Sequence, residues 1–517
     1  MKTINNLKYK IALFCGLILF SQGCIDLEED VSSVLSLEDL RNEADILAAL
    51  APIYRGYNNV VRVPHEEQIM GYGSDEITTW QGGNKAPLRI FDGFNYGDGQ
   101  SSDINWLDQP WRKNWKVIYY ANSLIEGLKT SSASPEAIAV GDGEARFLRA
   151  LSYLNLVKGY GNVPIILDGH IPTGDEVRAT VLENYAHIEE DLLIAEQNLP
   201  GPGEVAAPGR ASSAAAKTLL AHLYLTWTGW PAKDNSKMQL AANKAKEVID
   251  MNYFELMPID ELWLLSGQNS RESVFSIQFS ETENLQSSVP TDNSFHEARG
   301  WSDMFPERQF FFDFPENARK EATFLTEIPN RGVKGGVIVD KNPATRPWQQ
   351  SGRNHPMFGK FTAGENLTVG NRTKGFRAYE VFRYAEVLLI YAEAQARVDG
   401  GVASGQALEA LNQIRRRAEG LPYNVANAGV DLTTATADEI FVEKGWELAG
   451  EFKRWYDLVR LEKVAEANAD RDPTEEVPLT IDVSAITWKH YIAPIPAYEI
   501  TQSKLTQNPE GFSLSGE

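Results

Sequence analysis

The sequence predicts a mainly α-helical protein, a scaffold of paired helices interrupted by long loop-rich, aromatic-rich insertions with few short strands. Three observations carry this. Apolar residues recur at helical spacing in one segment after another. Small residues alternate with large ones on those stripes, which lets helices approach closely as antiparallel pairs. Two stretches, about residues 58–110 and 252–377, lose the stripes and fill with Gly, Pro, Asn and aromatic residues.

The elements follow in chain order. Lys2, Lys8 and Lys10 precede an apolar run from Ile11 to Phe20, the layout of a secretory signal. The run is too short for a permanent span, which needs about 20 apolar residues. Ser21-Gln22-Gly23-Cys24 ends it where a bacterial lipoprotein would be cut and lipidated, although Ser21 departs from the usual Leu. Residues 1–23 are therefore read as a signal peptide and Cys24 as the lipidation site. Acyl chains there would hold the protein on a membrane surface, since stable anchoring takes about two lipid signals. Residues 24–36, with Asp26, Glu28, Glu29 and Asp30, form an acidic tether, and residues 37–517 a single domain. Its helical scaffold is expected at about 37–57, 111–251 and 378–517.

Trp111, Trp115, Ile118, Asn122 and Ile125 draw the first helical stripe. Phe147, Ala150, Leu151, Leu154 and Val157 draw the second, stopped by Gly159-Tyr160-Gly161-Asn162-Val163-Pro164. Val181 to Leu199 gives a third, ended by Pro200-Gly201-Pro202-Gly203. Ser213 to Thr226 gives a fourth with Ser212 as N-cap, and Met238 to Ile249 a fifth. Ser273 to Phe279 alternates like a short strand. Helices resume with Tyr384, Val387, Leu388, Tyr391 and Ala394, then with Ala407, Leu411, Ile414 and Ala418. A long helix is expected over Ala437 to Glu462, and Ile492 to Pro496 is extended. Stacked pairs of this kind read like a degenerate tetratricopeptide-type solenoid.

Composition excludes several functions. The formal charge is −22, and residues 1–23 carry three lysines and no acids, so the chain beyond them stands at −25. Nucleic acid, which needs basic patches, is a poor partner for it. Of the two cysteines, Cys15 lies in the signal and Cys24 is the lipidation site, which leaves no intramolecular disulfide and no C-x-x-C zinc site. His65-Glu66-Glu67-Gln68 lacks the second His of a zincin helix, and no P-loop or GxSxG elbow is present. Acidic loop residues are too common to nominate a calcium site, so no cofactor and no metal are assigned.

Six collinear segments resemble the SusD/RagB family of Bacteroidetes outer-membrane lipoproteins. They are WKVIYYANSLIE from Trp115, EARFLRALSYLNLVKGYGNVP from Glu144, AAAKTLLAHLYL from Ala214, FRYAEVLLIYAEAQAR from Phe382, EFKRWYDLVR from Glu451 and YIAPIPAYEITQSKLTQNPEG from Tyr491. The resemblance covers nearly the whole chain beyond the signal. It implies a SusD-like tetratricopeptide-like body with a variable loop region, lipid-anchored in the outer membrane and facing the cell exterior. It also implies a lid that captures glycans for a SusC-like TonB-dependent transporter. Some relatives handle peptides, so a peptide-binding member of the same transport system is the alternative, and a helical glycoside hydrolase a third reading.

Sugar-binding chemistry then points to particular residues. The C–H face of a pyranose packs on a flat indole while hydroxyls bond to amides. Ser74 to Asn84 offers both, so Trp80, Gln81 and Asn84 are candidate glycan contacts, with Trp301 and Trp348 from the second insertion. The alternative for each Trp is a packing plug between loop and scaffold. Trp111, Trp115, Trp446 and Trp455 lie on helical stripes and read as core, and Phe310-Phe311-Phe312 as loop core. Glu447, Glu451 and Arg454 at i, i+4 and i+7 read as a structural ion-pair network. No pair of carboxylates has the pattern a glycosidase needs, so no catalytic residue is assigned.

Overall fold

A computed structural model describes residues 40–63, 68–96, 106–283, 285–298, 300–334, 337–361, 375–509 and 512. The signal, Cys24 and the acidic tether lie outside the described residues. The first half holds helices α1 (Glu43–Val61), α2 (Ala86–Asp92), α3 (Asp108–Leu128), α4 (Pro135–Tyr160), α5 (Val181–Asn198), α6 (Ser213–Trp227) and α7 (Met238–Asp250). The second half adds α8 (Tyr384–Val398), α9 (Gly405–Ala418), α10 (Ala437–Glu447), α11 (Arg454–Arg460) and α12 (Ala497–Gln502). From α3 to α7 each helix packs on the next, α1 lies on α3 and α4, and α7 packs on α8, which carries α9 and α10. This succession of neighbouring pairs is solenoid packing. It is rejoined across the long second insertion because α8 docks on α6 and α7.

Local chemistry sets the helix ends. Ser212 caps α6 by accepting from the Ala215 N–H, Thr180 and Glu183 form a reciprocal capping box on α5, and α4 opens with Ser134 ahead of Pro135. Ala214, Ala215, Leu219, Leu220, Ala221 and Leu223 of α6 are all buried. A helix apolar on every face must be surrounded, and α5, α7, α8 and a strand surround it. One continuous apolar core runs from Leu40 to Leu505, with a small satellite of Ile259, Leu262 and Trp263.

The insertions contain more regular structure than their composition suggests. Helix α1 runs on to Val61 and α3 begins at Asp108, so the first insertion is shorter than expected and holds α2. Strand β1 (Ile77–Thr78) lies in it. The second insertion opens with β2 (Ser273–Ile277), two residues shorter than the alternating run, and closes with β6 (Tyr379–Arg383), its antiparallel partner. Between them lie β3 (Phe305–Pro306) and a hairpin of β4 (Glu327–Lys334) and β5 (Val337–Pro347). The hairpin escapes sequence reading because Pro329 and Pro343 interrupt the alternation, and proline in a strand normally demotes it. Phe310-Phe311-Phe312 is a helical turn, Arg308–Asp313, capped by the Glu307 carboxylate; Phe310 and Phe311 are buried and Phe312 is exposed.

The long helix expected over Ala437 to Glu462 is two helices. It breaks after Glu447, and α11 starts at Arg454. Between them Gly450 has φ 77° and Phe452 φ 58°, left-handed backbone that ends a helix. A Cβ at Gly450 would sit 2.7 Å from Phe358 Cδ1, so glycine is required twice over.

Around this break lies a buried ion network. Arg383 bonds Glu447 (2.6 Å), Glu451 (2.9 Å) and Glu272 (3.1 Å). Arg417 bonds Glu447 (2.6 Å) and Glu272 (3.0 Å), Arg319 reaches Glu443 (2.7 Å) and Glu447 (3.3 Å), and Lys360 holds Glu451 (2.8 Å). Burial alone would raise the Glu447 carboxyl; Arg417, Arg383 and Arg319 outweigh it and hold Glu447 well below the usual carboxylate range. Glu447 and Glu451 are thus structural. Arg454 is not in this group, because the helix break turns it away to pair with Asp75 (2.8 Å).

Candidate functional site

The two insertions meet where β1 pairs antiparallel with β3, Ile77 opposite Pro306 and Thr78 opposite Phe305. Side chains fix the join. Thr79 Oγ1 donates to the Asp303 carbonyl (2.8 Å), as does the Tyr72 hydroxyl (3.1 Å). Thr78 Oγ1 donates to Asp92 of α2 (2.8 Å), which also pairs with Arg471. Burial pushes the Asp92 carboxyl up to about 6, while Arg471 and Thr78 restrain it from going higher. Lys85 pairs with Asp303.

Trp80 is half-buried at this join. Arg89 of α2 donates to the Trp80 carbonyl (3.2 Å) and the Gly82 carbonyl (3.4 Å), curling the loop back. A Cβ at Gly82 would stand 2.5 Å from two indole carbons, so the Gly82 backbone closes over the ring where no side chain fits. The Arg353 guanidinium lies 3.5 Å from the ring centroid. The Trp80 ring thus meets both the Gly82 backbone and the Arg353 guanidinium. Gln81 is exposed, and its N–H donates to Glu476 (3.1 Å); Asn84 is exposed at the end of the loop.

Arg353 is carried by the turn after β5. His355, fully buried against Phe305 (4.4 Å between ring centroids), faces the Arg353 carbonyl with Nδ1 (2.7 Å) and Glu475 with Nε2 (2.7 Å). Glu475 also accepts from the Arg308 N–H (2.8 Å) just past β3. Burial raises the Glu475 carboxyl, but the bond from His355 brings it below its ordinary value. Glu307, beside it, is pushed up to about 8 by burial and by Glu475.

Of the tryptophans in the second insertion, Trp301 is 36% exposed, its backbone held by an N–H bond to the Thr291 carbonyl (2.8 Å). Trp348 is only 6% exposed and packs edge-on against Phe311 (5.8 Å, 79°). It supports the turn bearing Arg353 and offers no free ring face. The structure therefore keeps Trp80, Gln81 and Asn84 together in the loop after β1, leaves Trp301 partly exposed in the second insertion and buries Trp348. Sequence reading missed Arg353, Arg89, His355 and Glu476, because none lies on a periodic stripe and only the pairing of distant loops brings them to Trp80.

Two hollows lie elsewhere. A polar cleft of about 840 Å³ is lined by Asp75, Phe441, Trp446, Arg454 and Lys463. An aromatic groove of about 520 Å³ is lined by Trp111, Trp115 and Tyr119 of α3 and by residues of α12. Trp111 and Trp455 are buried, as their stripes imply, whereas Trp115 and Trp446 are half-buried at the rims of these hollows.

Comparison with known proteins covers the described body. The profile of the SusD family matches residues 272–511, and a second, described as starch-binding associating with outer membrane, matches residues 51–225. SusD-like protein P2 of Formosa agariphila is 27% identical, over 98% of this chain and all of its own. A SusD homolog from Bacteroides thetaiotaomicron superposes with TM-score 0.76 at 22% identity, over 92% of this chain and 98% of that one. A laminarin-binding SusD-like protein superposes with TM-score 0.72 at 25% identity, over 91% and 99%.

Proposed function

The chain belongs to the SusD/RagB family, whose members are non-catalytic binding proteins, and from that premise we propose that it captures oligosaccharides at the cell surface and delivers them to a SusC-like TonB-dependent transporter. The observation that carries this reading is the join of the two insertions on a helical scaffold, with Trp80, Gln81 and Asn84 in the loop after β1 and Trp301 exposed in the second insertion. Trp301 supplies an exposed apolar ring, and Gln81 and Asn84 supply amides for hydroxyl groups. Trp80 acts through the arginine stacked on it. The preference of the laminarin-binding relative for a glycan supports the ligand class.

Lipidation of Cys24 places the protein on the outer membrane facing outward, with the acidic tether as spacer. Among the described residues no helix is long and apolar enough to cross a membrane. Tethering beside the pore raises the effective concentration of captured ligand there.

The test is a glycan and peptide binding screen on the mature chain, wild type beside Trp80→Ala and Trp301→Ala. Binding of one glycan class that weakens at least tenfold in either variant supports the assignment. Binding of peptides with no glycan retained would move the ligand to the peptide class. Isolation from outer membranes without any large TonB-dependent partner would overturn the delivery step.

A further inference from the structure

Arg353 is an unusual arginine. It stacks on Trp80, its Nε is buried with no hydrogen-bond partner among the described residues, and no described carboxylate forms an ion pair with it. A guanidinium has five N–H donors in a planar fork, and leaving them unbonded while partly desolvated is unfavourable unless something else fills them. Burial draws its pKa below the ordinary arginine value, while Glu476, Glu297 and Asp303 pull it the other way.

The nearby acids are occupied. Glu297 accepts from the Gly352 N–H (2.8 Å) and faces Arg346 (3.5 Å), and Glu476 accepts from the Gln81 N–H. Arg346, half-exposed, spends its Nη2 on Glu297, and only its Nε is buried with no partner among the described residues. Arg89 spends its Nη1 on loop carbonyls, and Lys85 and Asp303 neutralise each other. The Arg353 fork therefore stays open, in a protein whose overall charge is strongly negative.

Resting on the proposed capture of oligosaccharides, we infer that this site selects acidic ones: a carboxylate or sulfate on the sugar engages the Arg353 fork stacked on Trp80. The indole beneath holds the guanidinium plane in place, so little rotamer freedom is lost when the anion binds. An arginine fork matches the two oxygens of a carboxylate or sulfate better than a lysine does. Because the long-range field of the protein is negative, selection rests on this local geometry and not on steering.

The test uses the full-length mature chain in detergent, titrated calorimetrically with oligomers of matched length: neutral gluco-oligosaccharides, oligogalacturonates and a sulfated galactan series. The expected result is at least tenfold tighter binding of one acidic series than of the neutral one. That preference should be lost in Arg353→Gln, only partly kept in Arg353→Lys, and weakened by added salt. Glu476→Gln, which removes a neighbouring negative charge, should tighten acidic ligands two- to fivefold, an effect a merely structural role for Arg353 would not produce. Which acidic series binds identifies the anion. Neutral oligomers binding as tightly as acidic ones, with Arg353→Gln unchanged, would overturn the acidic preference while leaving glycan capture standing. Binding of no oligosaccharide of any class, with the variants folded, would overturn the capture reading itself.

Discussion

Replacing Glu447 by Gln should destabilise the fold far more than removing an exposed carboxylate, and the structure gives the size. The buried network sets four buried cations, Arg319, Lys360, Arg383 and Arg417, against four carboxylates, Glu272, Glu443, Glu447 and Glu451, with the half-buried Arg415 also on Glu443. Glu447 alone accepts from three arginines. Glu447→Gln leaves one uncompensated buried positive charge and turns an amide N–H₂ toward an arginine donor. Breaking a buried pair from one side costs about 3–5 kcal/mol. With an unfolding entropy of about 2.1 cal/mol/K per residue over roughly 440 described residues, that lowers Tm by about 3–5 °C. Asp175→Asn, in the exposed pair with Lys504, is the control and should change stability by less than about 0.5 kcal/mol. Scanning calorimetry at neutral pH measures both. The pH dependence has a definite sign. Glu447 has its folded pKa below the unfolded value, so its contribution is present above the ordinary glutamate range and fades as pH falls below it. The gap between wild type and Glu447→Gln should therefore narrow in acid. Equal Tm shifts for Glu447→Gln and Asp175→Asn would refute the reasoning.

Other outcomes follow from single residues. Glu76 is buried, its Oε1 has no partner among the described residues, and burial first, then Asp75, push its carboxyl up to about 8. Between the unfolded value near 4.5 and 8 the folded chain holds a proton the unfolded chain has released, so stability falls as pH rises through that window. Glu76→Gln should be more stable than wild type at pH 8.5 by about 1–3 kcal/mol and similar at pH 4.5, and a gap that ignores pH would count against this. Gly450→Ala should lose about 2–3 kcal/mol in denaturant unfolding, from the positive φ and the contact with Phe358. Gly82→Ala should leave Tm within about 2 °C but displace the Trp80 indole, seen as a shifted tryptophan emission and weakened ligand binding.

Much of the scaffold was legible because local physics writes it. Stripes of apolar residues, Ser212 as a cap and the Gly-Pro stops each report on neighbours within a few residues, and helices α3 to α7 fall where those signals put them. The helix expected through Glu462 failed for the opposite reason. Its apolar period continues across Gly450, and the break there is set by contact with Phe358 and by the demands of the buried ion network. The hairpin β4–β5 failed because its prolines mask a pairing that only the partner strand stabilises.

The candidate site divides in the same way. Trp80, Gln81 and Trp301 stood out as aromatics and amides among turn-formers, a signal of composition that one segment carries alone. Arg353 gave no such signal, since an arginine in a polar turn is ordinary. The sequence by itself determined the helical stacking, since each stripe, cap and stop depends on residues close together in the chain. Only the tertiary structure decided that Trp348 is buried and that Arg353 stacks on Trp80 with open donors. The Trp80–Arg353 contact joins chain segments more than two hundred residues apart, and no local pattern encodes it.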